Sequence, residues 1–187
     1  MPTFDPEHVG RLETEAWVAY YRRRWPTFLR AAIGLTRHTF GLPWPATLRG
    51  AWLVLRANQL WAPPAPGNDP DGARRCMARF YALVAERRGA PFDPAEAARL
   101  EVEWWRVHRE RQHDDAALAD ALAALYAHVY RVPAGDERVR TAARERAAAM
   151  RDSDRWVGEG CDPASPLVAR ERAALIRSYT ALRSAVA

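Results

Sequence analysis

The chain has 187 residues, of which 49% are hydrophobic and 27% charged, a composition that fits one globular domain or two small packed halves and excludes a disordered chain. All 28 basic residues are arginine, and the formal net charge of +5 is a weak argument for a polyanionic partner. Cys76 and Cys161 are too few for a disulfide framework, and no apolar run approaches the roughly 18 residues of a membrane span. The first residues also lack the pattern of a signal peptide, so we expect a soluble, cytoplasmic protein.

The opening segment of the chain occurs twice. FDPEHVGRLETEAW (4–17) is followed by FDPAEAARLEVEWW (92–105), and at an offset of 88 nine of the twenty positions from 4 to 23 are identical. Such self-similarity is the mark of an internal repeat. The identical pairs are Phe4/Phe92, Asp5/Asp93, Pro6/Pro94, Arg11/Arg99, Leu12/Leu100, Glu13/Glu101, Glu15/Glu103, Trp17/Trp105 and Arg23/Arg111.

The similarity continues along both halves with small gaps. We therefore predict a tandem duplication, with halves 1–90 and 91–187 related by an approximate two-fold axis and packed as one globular domain. Further pairs are Ala31/Ala121, Leu35/Leu125, His38/His128, Pro43/Pro133, Arg79/Arg177 and Tyr81/Tyr179.

Each half is predicted to contain four helices. The first opens at Asp5-Pro6 and again at Asp93-Pro94, because Asp is a favoured N-cap and Pro suits the first helical position. No segment alternates apolar and polar residues long enough for a strand, so the predicted fold class is all-α, a bundle of about eight helices. The later helices are predicted at about 27–40, 46–60 and 70–88, and at about 115–131, 136–150 and 166–185, with long connections at 61–70 and 151–166.

Helical periodicity predicts that the two acids of each repeated segment point in different directions. Glu13 and Glu101 fall within the apolar stripe of the first helix of their halves, whereas Glu15 and Glu103 point away from it. Glu15 and Glu103 each follow an arginine by four residues, Arg11 and Arg99, and are interpreted as solvated ion-pair partners.

His38 and His128 fall on the apolar stripe of the second predicted helix in their halves. Each half thus directs one Glu and one His toward apolar surface. A buried carboxylate is costly without a counter-charge, a hydrogen-bond donor or a metal, so these residues need partners.

One hypothesis is a metal site formed by Glu13, His38, Glu101 and His128 and holding iron, manganese or zinc. The ligand inventory resembles that of the di-iron carboxylate proteins, which implies a metal-dependent oxidoreductase. The Glu-x-x-His pair of that family is missing, since leucine stands three residues before each histidine. The candidate catalytic or proton-transfer residues near such a site are Tyr20, His108 and Tyr126.

The preferred hypothesis is structural. Glu13 and Glu101 are each bound by a buried arginine, with Arg79 and Arg177 as first choices, and the histidines are satisfied core residues. The protein is then a helical scaffold that binds a protein or small ligand through the loops 61–70 and 151–166.

The eight tryptophans and the basic residues allow further alternatives. Trp44 and Trp61 flank proline-rich turns and would suit a flat organic ligand or a tetrapyrrole, with His38 or His128 as axial ligand.

YYRRRW (20–25) is an aromatic and basic cluster, but arginines elsewhere alternate with acids, so nucleic-acid binding is not expected. A nucleophilic cysteine would require Cys76 or Cys161 to meet a histidine. Trp17, Trp52, Trp104 and Trp105 are predicted to be core residues.

Overall fold

A computed structural model describes residues 4–89, 91–110, 114–133 and 135–186 of the chain. Within these ranges the protein has eight helices and no strand, which confirms the all-α class and the predicted number of helices. The helices are α1 (Pro6–Tyr21), α2 (Trp25–Phe40), α3 (Trp44–Trp61), α4 (Pro70–Arg88), α5 (Pro94–Glu110), α6 (Asp115–Tyr130), α7 (Glu137–Gly158) and α8 (Pro166–Val186).

The helices form a closed succession. Each helix packs against its neighbours in the chain, and α8 packs back against α1, so the first and last helices meet. The contact between α2 and α3 is the least extensive in this succession, whereas α7 and α8 pack together most extensively. The first half of the chain is therefore more open between its second and third helices than the second half is.

Acidic caps start most of the helices. The side chain of Asp5 accepts a hydrogen bond from the backbone N–H of Glu7 at 3.0 Å, and Asp93 accepts one from Ala95 at 2.9 Å. Asp69, Asp114 and Asp136 cap α4, α6 and α7 in the same way. The caps satisfy N–H groups that have no partner within the helix.

The N-termini of α2 and α3 are different. They begin Trp25-Pro26 and Trp44-Pro45, with no side-chain cap and no acid in the first turn. The positive end of each helix dipole is thus left without a compensating carboxylate.

The connection predicted at 151–166 is wrong in its first half, because α7 continues to Gly158. The apolar face of the helix extends through Ala149, Ser153 and Trp156, all of which are buried. Trp156 is fully buried, and its indole N–H donates to the carbonyl of Asp162 at 2.7 Å. Anchoring of this ring explains why the acidic residues between 151 and 155 do not end the helix.

The connection after α3 is held by a residue of α5. The Arg109 guanidinium donates to the carbonyl of Trp61 at 2.7 Å and stacks over the Trp61 ring at 4.4 Å. The last carbonyls of a helix lack partners within the helix, so Arg109 satisfies one of them and fixes the start of the loop.

Small residues set the distances between helices, and many of the fully buried positions are alanine. Two helices approach closely at Gly10 of α1, where a Cβ atom would lie 2.8 Å from the Ile176 side chain and 3.1 Å from its backbone nitrogen. Helices α1 and α8 therefore pack at a separation that only glycine permits at this position.

None of the described helices is long and apolar enough to cross a membrane.

We predict that Gly10→Ala destabilises the protein by about 1–3 kcal/mol, because overpacking against the backbone of Ile176 outweighs the higher helix propensity of alanine. Gly34→Ala is the control, since a Cβ there meets only the flexible end of Leu12 at 3.3 Å. Urea unfolding of both variants measures the difference. Equal stabilities for the two variants would contradict the close approach of α1 and α8.

Candidate functional site

Glu13 is the centre of a partly buried cluster of charged and polar side chains. Its Oε1 accepts from Nη2 of Arg146 at 2.5 Å, and its Oε2 accepts from Nη1 at 3.0 Å. The hydroxyl of Tyr179 donates to the same Oε2 at 2.6 Å. The side chains of Glu13 and Arg146 are only 18% and 17% exposed, so this is a bidentate ion pair largely shielded from water.

The partner of Glu13 differs from the prediction. The expected arginines were Arg79 and Arg177, but Arg79 is exposed on α4 and Arg177 forms an exposed ion pair with Glu145 at 2.8 Å. The arginine that binds Glu13 is Arg146 of α7, which approaches α1 from the interior of the bundle. The prediction that an arginine binds Glu13 is confirmed, and the choice of arginine was wrong.

Glu101 has a tyrosine partner. The Tyr81 hydroxyl donates to its Oε2 at 2.6 Å. Burial raises the pKa of the Glu101 carboxyl, while the hydrogen bond from Tyr81 and the charge of Arg146 act in the opposite direction. The predicted arginine anchor of Glu101 is therefore replaced by a hydroxyl, with Arg146 contributing only through its charge.

The tyrosines of the cluster are held in their neutral form. Burial, followed by the charge of Glu13, raises the pKa of Tyr179 well above its ordinary value. Burial likewise raises the pKa of Tyr126 and, together with Glu101, that of Tyr81. Burial alone would lower the pKa of Arg146, but the carboxylate of Glu13 raises it well above its ordinary value. Arg146 is a permanent cation, and the tyrosines are permanent hydrogen-bond donors.

A second carboxyl of the cluster is destabilised in its charged form. Glu171 of α8 is 3% exposed, and its buried Oε2 has no hydrogen-bond partner among the described residues. Burial and then the charge of Glu13 raise the pKa of Glu171 to about 8. Near neutral pH this side chain therefore carries a proton while Glu13 remains paired with Arg146.

The two histidines of the predicted metal site lie elsewhere. His38 is exposed, with its ring 4.5 Å from that of His8, so the predicted inward orientation of His38 is wrong. His128 is half-buried, and its Nε2–H donates to the carbonyl of Asp93 at 2.9 Å. Both histidines thus lie near the start of the first helix of their half, away from the carboxylates of Glu13 and Glu101.

No three of Glu13, His38, Glu101 and His128 lie close enough to hold one metal ion. In the described ranges no group of three or more His, Cys, Asp and Glu side chains has that arrangement. Metal binding by this protein stays a prediction, and the structure does not assemble the site that was predicted for it.

The candidate catalytic residues are also apart from the Glu13 cluster. Tyr20 is 41% exposed and packs against Trp17, Trp25 and Phe28. The Nε2 atom of His108 lies 2.8 Å from Oδ2 of Asp154, which joins α5 to α7. Of the residues predicted near the site, only Tyr126 is electrostatically coupled to Glu13 and Arg146.

The two tryptophans considered for a tetrapyrrole site are each covered by an arginine. The Arg37 guanidinium covers the Trp44 ring at 4.2 Å, and Arg109 covers that of Trp61. Cys76 and Cys161 are both free thiols and half-buried.

Glu15 and Glu103 form ion pairs near the surface, as expected, but not with Arg11 and Arg99. Glu15 pairs with Arg30 of α2 at 2.6 Å, and Glu103 pairs with Arg106 at 2.7 Å. The predicted direction of these acids is confirmed, whereas the partners are set by the position of α2 and by an i,i+3 spacing on α5.

The second candidate site is a surface that the sequence interpretation missed. We call it the α2–α3 face and define it by five exposed side chains, Trp25, Leu29, Trp44, Leu48 and Trp52. Together with Tyr20 and Tyr21 at the end of α1, these are all the large hydrophobic side chains that are exposed in the described part of the chain. Trp52, predicted to be a core residue, is 60% exposed.

A signal for this face was present in the sequence. Residues 16–68 contain seven arginines and no Asp or Glu, a local imbalance that the modest net charge of the whole chain conceals. On α3 the buried residues, such as Thr47, Gly50 and Leu53, lie on one side, and a second apolar row lies opposite them. A helix with one buried and one exposed apolar side is typical of a surface that binds a partner. The absence of acids from the surrounding segment adds a local positive charge to that surface.

Comparisons with protein-family models, with curated proteins and with solved structures find no match to this chain.

We predict that Glu13→Ala and Arg146→Ala each destabilise the protein by about 3–5 kcal/mol, because either change leaves a shielded charge without its counter-ion. The double variant should lose less than the sum of the two, since no uncompensated charge then remains. Thermal or urea unfolding measures all three variants. Glu15→Ala and Glu103→Ala are the controls, with expected costs below about 1 kcal/mol. A Glu13 variant as stable as the Glu15 variant would contradict the anchoring role of the pair.

Glu171 predicts a dependence of stability on pH. The folded protein holds the Glu171 proton up to about pH 8, whereas the ordinary pKa of this carboxyl is 4.5. The contribution of Glu171 to stability is therefore fully present below the ordinary pKa and is lost as the pH rises from there through 8, by about 3–5 kcal/mol. We expect Glu171→Gln to remove this fall, as measured by urea unfolding at about pH 5 and about pH 9. Glu86→Gln, the same change at an exposed position, should leave the fall intact.

Proposed function

We propose that this protein is a helical binding protein that docks its α2–α3 face on an anionic partner surface. The observation that carries the proposal is that two independent features occur in the same segment of the chain. All the exposed large hydrophobic side chains of the described residues fall between positions 20 and 52, and these positions lie within the acid-free segment 16–68. Exposed apolar area favours contact with a partner, and a local excess of positive charge selects an anionic one.

The charge of the face supports an anionic partner. The segment 16–68 carries seven arginines, and among the described residues only Arg30 of these seven has a carboxylate partner, Glu15. Arg49 and Arg56 are exposed on α3 beside the apolar row. The uncapped N-termini of α2 and α3 each add partial positive charge beside the exposed tryptophan, Trp25 or Trp44, that begins the helix.

The tandem duplication is part of the proposal, and equivalent hydrogen bonds support it. Tyr81 of the first half donates to Glu101 of the second, and Tyr179 of the second donates to Glu13 of the first, at 2.6 Å in both cases. The sequence alignment matches the two donors, Tyr81 and Tyr179, and it also matches the two acceptors, Glu101 and Glu13. The residues after α2 and α6, Gly41 and Arg131, also match in the alignment and have the same left-handed backbone, with φ of 62° and 55°.

The duplication allows the α2–α3 face to be compared with its counterpart in residues 91–187. Helices α3 and α7, aligned from their first residues, place Trp44, Leu48 and Trp52 opposite polar side chains. The fold thus has no need of apolar residues at these exposed positions, which supports a binding role for them in the first half. The polar counterparts are Glu137, Thr141 and Glu145.

The Glu13 cluster is better suited to stability than to catalysis. Both oxygens of Glu13 accept hydrogen bonds from Arg146, and Tyr179 adds a third. A carboxylate with these bonds is poorly placed to bind a substrate or a metal unless the pair breaks. The alternative of a metal-dependent oxidoreductase has no supporting group of ligands among the described residues.

We predict that the protein binds at least one of three anionic probes, which are phosphatidylglycerol vesicles, a single-stranded oligonucleotide and polyglutamate. The variant Trp44→Ser/Leu48→Ser/Trp52→Ser should lose at least about tenfold in affinity, because the apolar contact area is removed. Its melting temperature should not fall, since the three side chains are exposed.

The matched control is Trp44→Phe/Leu48→Met/Trp52→Phe, which keeps the row apolar and should keep most of the affinity. If none of the three probes binds, or if the serine variant binds as well as the unchanged protein, the proposed function is wrong.

A further inference from the structure

We infer that the partner of the α2–α3 face is the surface of an anionic phospholipid bilayer, so that the protein binds membranes peripherally without crossing them. This inference rests on the proposed function and names the chemistry of its partner. It follows from the kinds of side chain in the face, from their arrangement along the helices, and from the distribution of charge around them.

The side chains of the face are those that favour a membrane interface. Tryptophan has an apolar body and a polar N–H, and it is enriched where acyl chains meet headgroups. Trp25, Trp44 and Trp52 supply such rings, and Leu29 and Leu48 supply aliphatic chains that can enter the acyl region. Tyr20 and Tyr21 extend the aromatic surface at the end of α1.

The arrangement of the side chains fits a surface that lies along a bilayer. Trp44, Leu48 and Trp52 recur every fourth residue, so they form one row along α3 that is about 12 Å long. Trp25 and Leu29 have the same spacing on α2. Helices that lie in the membrane interface have such rows on one side and arginines on the other.

The distribution of charge around the apolar row also favours an anionic bilayer. A bilayer rich in anionic lipid attracts arginines near its surface, and each contributes about fivefold in affinity. The exposed Arg49 and Arg56 are close in sequence to the apolar row, and the nearest acids in sequence are Glu15 and Asp69, outside the acid-free segment. The uncapped N-terminus of α3 lies at the start of the row and offers backbone N–H groups to a phosphate.

Single-stranded nucleic acid fits the face less well. Recognition of single strands relies on aromatic rings that stack on bases, and leucine offers no ring. One face of the Trp44 ring is already covered by Arg37, whose guanidinium lies 4.2 Å from the ring centroid. Leu29 and Leu48 would remain in contact with water beside a base, whereas a bilayer buries them.

A second copy of the chain is also disfavoured as the partner. If two α2–α3 faces met, the exposed Arg49 and Arg56 beside the apolar row of one copy would approach those of the other. Like charges brought together in this way oppose association. The lipid surface has the opposite charge and therefore removes this repulsion.

The test is flotation with vesicles of equal parts phosphatidylglycerol and phosphatidylcholine, compared with vesicles of phosphatidylcholine alone, at about 0.1 M salt. We expect binding to the anionic vesicles only, with at least about tenfold weaker binding by the Trp44→Ser/Leu48→Ser/Trp52→Ser variant. Arg49→Gln/Arg56→Gln should weaken binding by about fivefold for each arginine removed. Arg172→Gln/Arg183→Gln removes the same charge from exposed positions of α8 and should bind nearly as well as the unchanged protein.

Four outcomes would overturn the inference. Equal binding to neutral and anionic vesicles would show that the arginines have no role. An equal loss in the α3 and α8 arginine variants would show that net charge, and not this face, drives binding. Failure to bind vesicles combined with binding of the oligonucleotide or polyglutamate would reject the lipid partner and leave the proposed function intact. If no probe binds, both are rejected.

Discussion

The ion pair between Glu13 and Arg146 is the interaction that fixes how the chain closes on itself. It joins α1 to α7 across 133 positions of sequence, and the hydroxyl of Tyr179 joins the same carboxylate to α8 across 166. Contacts among small apolar residues permit helices to slide past one another, whereas a bidentate pair permits one register. Removal of these charges from water is costly, and the three hydrogen bonds to Glu13 offset that cost. The first helix is therefore positioned by residues near the end of the chain.

Arg146 interacts with two carboxyl groups in different ways. Arg146 binds Glu13 directly and affects Glu101 only by its charge, so Glu101 depends on the Tyr81 hydroxyl. When α3 and α7 are aligned from their first residues, the residue opposite Arg146 is Leu53, which is buried. If the two halves arose by duplication, the arginine is present in one copy only. The two acids then have different chemistry although nine of the twenty positions around them are identical, with a bidentate ion pair at Glu13 and a carboxyl at Glu101 whose pKa is raised by burial.

The sequence predicts local features of this protein well. Helix starts at Asp5, Asp69 and Asp93 follow from the capping chemistry of Asp-Pro, and the inward direction of Glu13 follows from the helical period. Partners are harder to predict, because the choice of Arg146 over Arg79 depends on which distant helices pack together. The error at His38 has a related origin. Its position continues the apolar stripe of α2, but near that end of the helix the neighbour is the exposed His8 in the first turn of α1, so the side chain remains at the surface.

The α2–α3 face was missed because regular apolar spacing predicts burial without specifying what covers the residues. Thr47, Gly50 and Leu53 occupy the side of α3 that packs into the bundle, and a second apolar row on the same helix has no protein partner among the described residues. An exposed row of tryptophan and leucine in a neutral surface would favour self-association. The seven arginines and the absence of acids from 16–68 oppose pairing of two such faces, so under the proposed function the charge distribution that would attract an anionic surface would also disfavour pairing with a second copy. On this view the charge and the apolar row are selected together, because either feature alone would give a weak binder or a protein prone to aggregate.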